Sequence, residues 1–340
     1  MISLKKVLLV LLVIIITVSC MTITPTAQTV GQDLYYGVTY NEDHVTNSNG
    51  KNADIFSLTV DLEKAYAICG LPDNIKALQV GAKGQQTLSE MVAAAQRDGY
   101  TVYAAMNADF FYRNDLTKIQ PEGIVIRDGK LLSPIGSSQS FFGIMKDGTP
   151  MIGHIYDYTR NMGEFDQAVG GDYGALIKDG KAITQDGDGG WHAIGYADPR
   201  AAVGIKKDGT VFMVVVDGRS STSQGLTLVE LANYMKANGC VTAINLDGGG
   251  SAQMAICDPQ TGEFRIVNNP SDGCERAIAN CIMIVSDREP NVPAKMPVKE
   301  ETTKTPTTPY KNLVIIIGFA FIAGLFATSL VIYTIKNKKA

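Results

Sequence analysis

Carboxylates, amides and arginines stand just past apolar runs at several points of this 340-residue chain. Thr101–Met106 leads into Asn107-Ala108-Asp109-Phe110-Phe111, and Val211–Val216 leads into Asp217-Gly218-Arg219. Ala243–Leu246 leads into Asp247-Gly248-Gly249-Gly250-Ser251, and Pro270-Ser271-Asp272-Gly273 precedes Arg276. A carboxylate at a strand end can face a cleft rather than the core, where it can move a proton or stabilise a carbon that turns positive. Asp247 and Asp217 are the leading candidates, followed by Asp272; which is nucleophile and which is base depends on a separation that sequence does not give. Arg200, Arg219 and Arg276 lie at or beside these ends, and a guanidinium fork matches two phosphate oxygens at once. Asn107, Asn245, Ser251 and Ser271 add hydrogen-bonding groups. The run Gly248, Gly249, Gly250 lets a ligand or another backbone come into contact. It is not a nucleotide phosphate loop, because no Gly-Lys-Ser/Thr follows and Ala252–Ile256 reads as a strand.

The elements that position these residues are legible around them. Thr87–Arg97 and Thr227–Asn238 are predicted helices, each with a capping box (Thr87 with Glu90, Thr227 with Glu230) and a glycine stop at Gly99 or Gly239. Each precedes a strand, Thr101–Met106 or Val241–Leu246, so the two helix–strand units look equivalent at a constant offset. Four segments alternate apolar residues on both sides of Asp-Gly: Gly123–Leu132, Phe142–Gly153, Gly174–Ile183 and Val203–Val214. Asp-Gly accepts the positive φ of a type I′ turn, so all four are predicted hairpins. The expected fold is α+β, a largely antiparallel sheet core with a few flanking helices.

The ends differ from the middle. Lys5-Lys6 and the short apolar run Val7–Val18 read as a signal peptide over residues 1–27. Leu313–Ile335 carries no charge and is long enough to cross a bilayer; Lys336, Lys338 and Lys339 follow, which predicts a single transmembrane helix at 313–335 and a cytoplasmic tail at 336–340. Residues 287–312 hold five of the 13 prolines and read as an extended stalk. The folded unit is therefore expected at 28–286, outside the cell membrane. All five basic residues of the two ends lie outside it, whereas all 34 acidic residues lie within 28–312, leaving that part strongly acidic. Such a surface disfavours a nucleic-acid partner. His44, His154 and His192 have no metal-ligand spacing, and no cofactor is expected. Five cysteines follow the signal, an odd count that leaves at least one unpaired; Cys257 with Cys274 is easier to bridge than Cys274 with Cys281.

The segments RAAVGIKKDG, VVVDGR, SQGLTLVELANYMKANG and AINLDGGGSA between Pro199 and Ala252 resemble the phosphodiester glycosidase family. NADFF at Asn107–Phe111, FGIMKDGT at Phe142–Thr149 and NPSDGCER at Asn269–Arg276 extend the resemblance over about Thr101–Val285. Asp109 departs from it, standing where the animal member of the family carries glycine, and is not counted among the catalytic candidates. The resemblance implies hydrolysis of a sugar joined through its anomeric oxygen to a phosphodiester. The three arginines would then hold phosphate, the carboxylates would serve the anomeric carbon, and Asn107, Asn245, Ser251 and Ser271 would meet sugar hydroxyls. A non-catalytic module binding anionic saccharide and a glycosyl-transferring enzyme are the alternatives.

Overall fold

The computed structural model describes residues 31–73, 84–112, 120–133, 140–161, 163–172, 174–184 and 195–287. Three sheets organise them. The largest runs β1 (Gln32–Tyr35), β2 (Val38–Thr46), β3 (Asn52–Val60), β16 (Val211–Val216), β15 (Arg200–Lys206), β17 (Cys240–Leu246), β13 (Ala175–Lys178) and β14 (Lys181–Ala182). A second runs β11 (Pro150–His154), β10 (Ser140–Met145), β12 (Phe165–Gly170), β8 (Val125–Arg127) and β9 (Lys130–Ser133). The third runs β19 (Phe264–Ile266), β18 (Met254–Cys257), β5 (Val102–Asn107), β20 (Cys281–Val285) and β4 (Tyr66–Gly70), while β6 (Phe111–Tyr112) pairs with β7 (Gln120–Pro121). Every strand pair among the described residues is antiparallel.

Side-chain alternation along the strands divides the core. Val211, Met213 and Val215 of β16, Ala104 and Met106 of β5, Ile282 and Ile284 of β20, and Phe142 and Ile144 of β10 share one buried cluster, so all three sheets turn one face to a common interior. The opposite faces each take a helix. Helix α1 (Leu88–Arg97) packs Leu88, Met91, Val92 and Ala95 on the third sheet, α2 (Ile155–Arg160) packs Tyr158 on the second, and α3 (Leu228–Ala237) packs Leu231, Ala232 and Met235 on the first. This explains why Val211–Val216 is apolar without alternation: both of its faces are covered.

Both predicted capping boxes form, with Thr87 and Thr227 each accepting the N–H of the glutamate three residues on. The four Asp-Gly segments are hairpins, but of two kinds. Asp128 and Asp179 have positive φ, as a type I′ turn requires, and sit in two-residue loops. Asp147 and Asp208 do not; there the following Thr149 and Thr210 donate their N–H groups to the aspartate side chain, and the loop closes one residue wider. The aspartate bonds locally to its own turn and stays out of the left-handed region.

The apolar runs Val7–Val18 and Leu313–Ile335 and the proline-rich segment 288–312 lie outside the described residues. Among those described, no helix is long and apolar enough to cross a membrane. Cys69, Cys240, Cys257, Cys274 and Cys281 are all free thiols, so the pair that is easier to bridge, Cys257 with Cys274, is not bonded. Cys257 is buried with Sγ 3.3 Å from the Gly262 carbonyl oxygen, inside the β18–β19 hairpin, while Cys274 is exposed.

Candidate active site

The two equivalent helix–strand units meet at their C-terminal ends. The Asp247 N–H donates to the Ala108 carbonyl at 2.9 Å, and Asn107 Nδ2 donates to the Asp247 carbonyl at 2.6 Å. Asn107 Oδ1 accepts the Gln253 N–H at 3.0 Å. The Asn107 amide is 1% exposed and fully engaged with backbone, so it braces the two strand ends against each other instead of facing outward as the sequence suggested.

Past this junction the chain turns through a single 3₁₀ turn, Gly249–Ser251, in which Gly249 has φ of 58°. Two arginines fold over it. A Cβ on Gly249 would lie 3.0 Å from Arg219 Nη2, and a Cβ on Gly250 would collide with Arg276 Nη2 and Asp272 Oδ1. The glycine run thus makes room for guanidinium groups, and Gly248 makes room for the Pro199 carbonyl, on which a Cβ would close to 2.6 Å. Arg276 grips Asp272 through Nε at 2.7 Å and Nη2 at 3.0 Å, and Nη1 donates to Ser251 Oγ at 3.3 Å. Arg219 grips Asp198 through Nε at 2.7 Å and Nη2 at 2.8 Å. Its side chain is 49% exposed against 30% for Arg276, so both guanidiniums reach solvent beside the turn.

Asp247 sits where these parts converge. It keeps part of its surface open, yet burial pushes its carboxyl up to about 6; Ser251, Arg276 and the Gly248 backbone pull the other way, and Glu122 adds to the upward push. A carboxyl that titrates near neutrality between a hydroxyl and a guanidinium is suited to acid–base or nucleophilic work.

The remaining candidates divide. Asp217 is 7% exposed, and its oxygens accept from Asn268 Nδ2 at 2.9 Å and from the Asn269 N–H at 2.9 and 3.1 Å. Since Asn268 Nδ2 also donates to the Ala252 carbonyl, Asp217 ties the end of β16 to the segment behind the glycine turn. Burial raises its carboxyl and these bonds lower it. Arg200 is 2% exposed and donates to the carbonyls of Leu226 and Tyr196, each at 2.9 Å. Asn245 is buried with Nδ2 3.3 Å from Asp172 Oδ2. Ser251 is fully buried, and Ser271 Oγ is buried without a partner. Asp247, Ser251, Arg276, Asp272 and Arg219 are therefore gathered around one turn, whereas Asn107, Asp217 and Arg200 point into the framework. Among the histidines, His44 pairs with Asp54 at 2.7 Å and His154 caps α2; His192 lies outside the described residues. No group of three His, Cys, Asp or Glu suited to a metal ion occurs among the described residues.

Sequence reasoning passed over Asp198 and Glu122, and it set Asp109 aside. Asp198 carries no motif and is found only through Arg219. Glu122 is brought in by the 120–123 segment, whose N–H at Glu122 bonds the Phe110 carbonyl at 2.8 Å. Asp109 was visible in NADFF, two residues past a strand end, as Asp247 is one residue past its own.

Antiparallel sheets that deliver a near-neutral carboxyl and two guanidiniums to one glycine turn define a candidate anion-handling hydrolase site. The sequence profile of the phosphodiester glycosidases matches residues 100–285, more than half of the chain, and the protein belongs to that family. The N-acetylglucosamine-1-phosphodiester alpha-N-acetylglucosaminidase of Mus musculus is 30% identical over 177 residues, covering 48% of this chain and 33% of the mouse protein. The Homo sapiens protein of the same name is 28% identical over 221 residues, covering 60% and 39%. An uncharacterised SPbeta prophage-derived protein of Bacillus subtilis, YomE, is 38% identical over 109 residues, 32% of this chain and 16% of its own length. The matches thus span well under half of each curated relative. The catalytic domain of the zebrafish acetylglucosaminidase, auto-inhibited by its pro-peptide, superposes with a TM-score of 0.56 at 23% identity, covering 74% of this chain and 83% of that one. At that identity the superposition speaks for the fold.

Proposed function

We propose that this protein is a hydrolase that cleaves the glycosidic C–O bond of a sugar-1-phosphodiester, with Asp247 as its principal carboxylate. The observation that carries this reading is the convergence on one turn of a carboxyl raised to about 6 and the guanidinium of Arg276. Phosphate is already a good leaving group, so the reaction needs the departing anion held more than it needs a strong acid. Arg276 and Arg219 are placed to hold it, each able to release a carboxylate partner to accept phosphate oxygens. Asp272 then acts as the resting counter-charge of Arg276. Ionised Asp247 stabilises or attacks the anomeric carbon as positive charge develops there, and water completes the hydrolysis. Ser271 Oγ, buried and unpartnered, is free to meet a substrate hydroxyl.

The substrate belongs to the cell envelope or an exopolysaccharide. The enzyme works outside the cell, held by residues 313–335 with 336–340 on the cytoplasmic side; the uncharged run and the lysines after it support this arrangement. Incubation with a panel of sugar-1-phosphodiesters tests the activity. Release of free sugar from at least one supports it, and binding without turnover across the panel would leave a saccharide-binding module in its place.

A further inference from the structure

Beneath Asp247 lies a second carboxyl that no step above uses. Asp109 is 2% exposed and held from three sides. Its N–H donates to Asn280 Oδ1 at 2.9 Å, and its Oδ2 accepts the Gly123 N–H at 2.8 Å. The slot around it is built of glycine: a Cβ on Gly123 would stand 2.8 Å from Oδ2, and one on Gly170 2.6 Å from the same atom. Oδ1 is buried without a partner. The Ala108 carbonyl next to it receives the Asp247 N–H, and the 120–123 segment bonds to it through Gly123, so Asp109 sits at the junction of β5, β17 and the segment carrying Glu122.

The ionisable groups acting on Asp109 are Glu122 and Asp247, both acidic, and Cys69 of β4 is near enough to sense it in turn. Arg276 acts on Asp247, and Arg127 acts on Cys69. Two buried anions side by side, with an anionic substrate arriving, are strongly disfavoured where water is excluded. Burial accordingly pushes the Asp109 carboxyl well above its ordinary range.

We propose that Asp109 is a positioning residue for Asp247: a neutral carboxyl that fastens the Glu122–Gly123 segment beneath it, so that the site holds its one working negative charge at Asp247. This rests on the hydrolase reading above. Asp109 keeps its proton throughout and transfers none to substrate. The proton resides on Oδ1 while Oδ2 accepts from Gly123. An amide can replace that arrangement, whereas a methyl group cannot.

The test uses the full chain with Asp109→Asn and Asp109→Ala. Infrared spectra near neutral pH should show the carbonyl stretch of a protonated carboxyl in the parent that Asp109→Asn removes. In pH–rate profiles on a sugar-1-phosphodiester, Asp109→Asn should keep kcat/KM within about threefold and leave the acid limb in place. Asp109→Ala, which admits water and frees the Gly123 N–H, should move that limb down by about half a pH unit or more and lower kcat, because Asp247 loses part of its desolvation. No protonated-carboxyl band in the parent, or an acid limb that falls by about one unit in Asp109→Asn, would show that Asp109 is ionised and overturn the proposal. If every sugar-1-phosphodiester fails as substrate, the hydrolase reading falls, and the infrared comparison alone decides the charge of Asp109.

Discussion

Asp247→Asn separates the charge of the central carboxyl from its shape. The Asp247 carboxyl rises from an ordinary 3.8 to about 6, a little over two units, equivalent to about 3 kcal/mol. Between these values the folded protein holds a proton that the unfolded chain has already lost. Stability therefore falls as pH rises across that window, and the deficit persists above it. Asparagine never ionises, so above pH ~7 the variant should be more stable than the parent by up to about 3 kcal/mol, or several degrees in Tm for a domain of this size. Well below the ordinary carboxylate range, where both side chains are neutral, the two melting curves should converge. Over the same range the variant should lose more than about 10³-fold in rate, roughly 4 kcal/mol of transition-state stabilisation. Calorimetry at several pH values alongside a sugar-release assay reads both quantities. A rate within about tenfold of the parent would remove Asp247 from the chemistry, and a Tm lowered equally at every pH would make it a structural turn residue.

In the parent, kcat/KM should fall as pH drops through about 6, because the working Asp247 becomes protonated there, and a pH–rate profile locates that limb. Gly250→Ala should raise KM by about tenfold or more with little change in Tm, since its Cβ displaces the flexible ends of Arg276 and Asp272 and meets no positive-φ strain. Asn268→Ala should cost about 1–3 kcal/mol in denaturant unfolding, because it strips Asp217 and the Ala252 carbonyl of a buried donor. Protease added to intact cells should release the folded unit if it stands outside the membrane, and protection of the whole unit would reverse that topology.

What could be read in advance was local. The capping boxes at Thr87 and Thr227 and the apolar runs ending at Asn107 and Asp247 announce themselves because caps and strand ends are built from neighbours in sequence. Asp-Gly marked four hairpins correctly, yet the turns are of two kinds: Asp147 and Asp208 accept the backbone N–H two residues on, whereas Asp128 and Asp179 take positive φ. The site divided along the same line. Asp247 and Arg276 were found by their motifs, whereas the inward turn of Asn107 and Asp217 depends on Gln253, Asn268 and Asn269, brought in by tertiary pairing. Strand β2, with Asn41, Glu42, Asp43 and His44 in its middle, gave no apolar alternation to read; its partner β3 supplies the buried face.

Hydrolysis in isotopically heavy-oxygen water tests the central claim most directly. If Asp247 serves the anomeric carbon while the arginines hold the departing phosphate, water attacks carbon and the label appears in the released sugar. Label recovered in the phosphomonoester instead would mean attack at phosphorus. The protein would then be a phosphodiesterase, even if Asp247 and Arg276 proved indispensable.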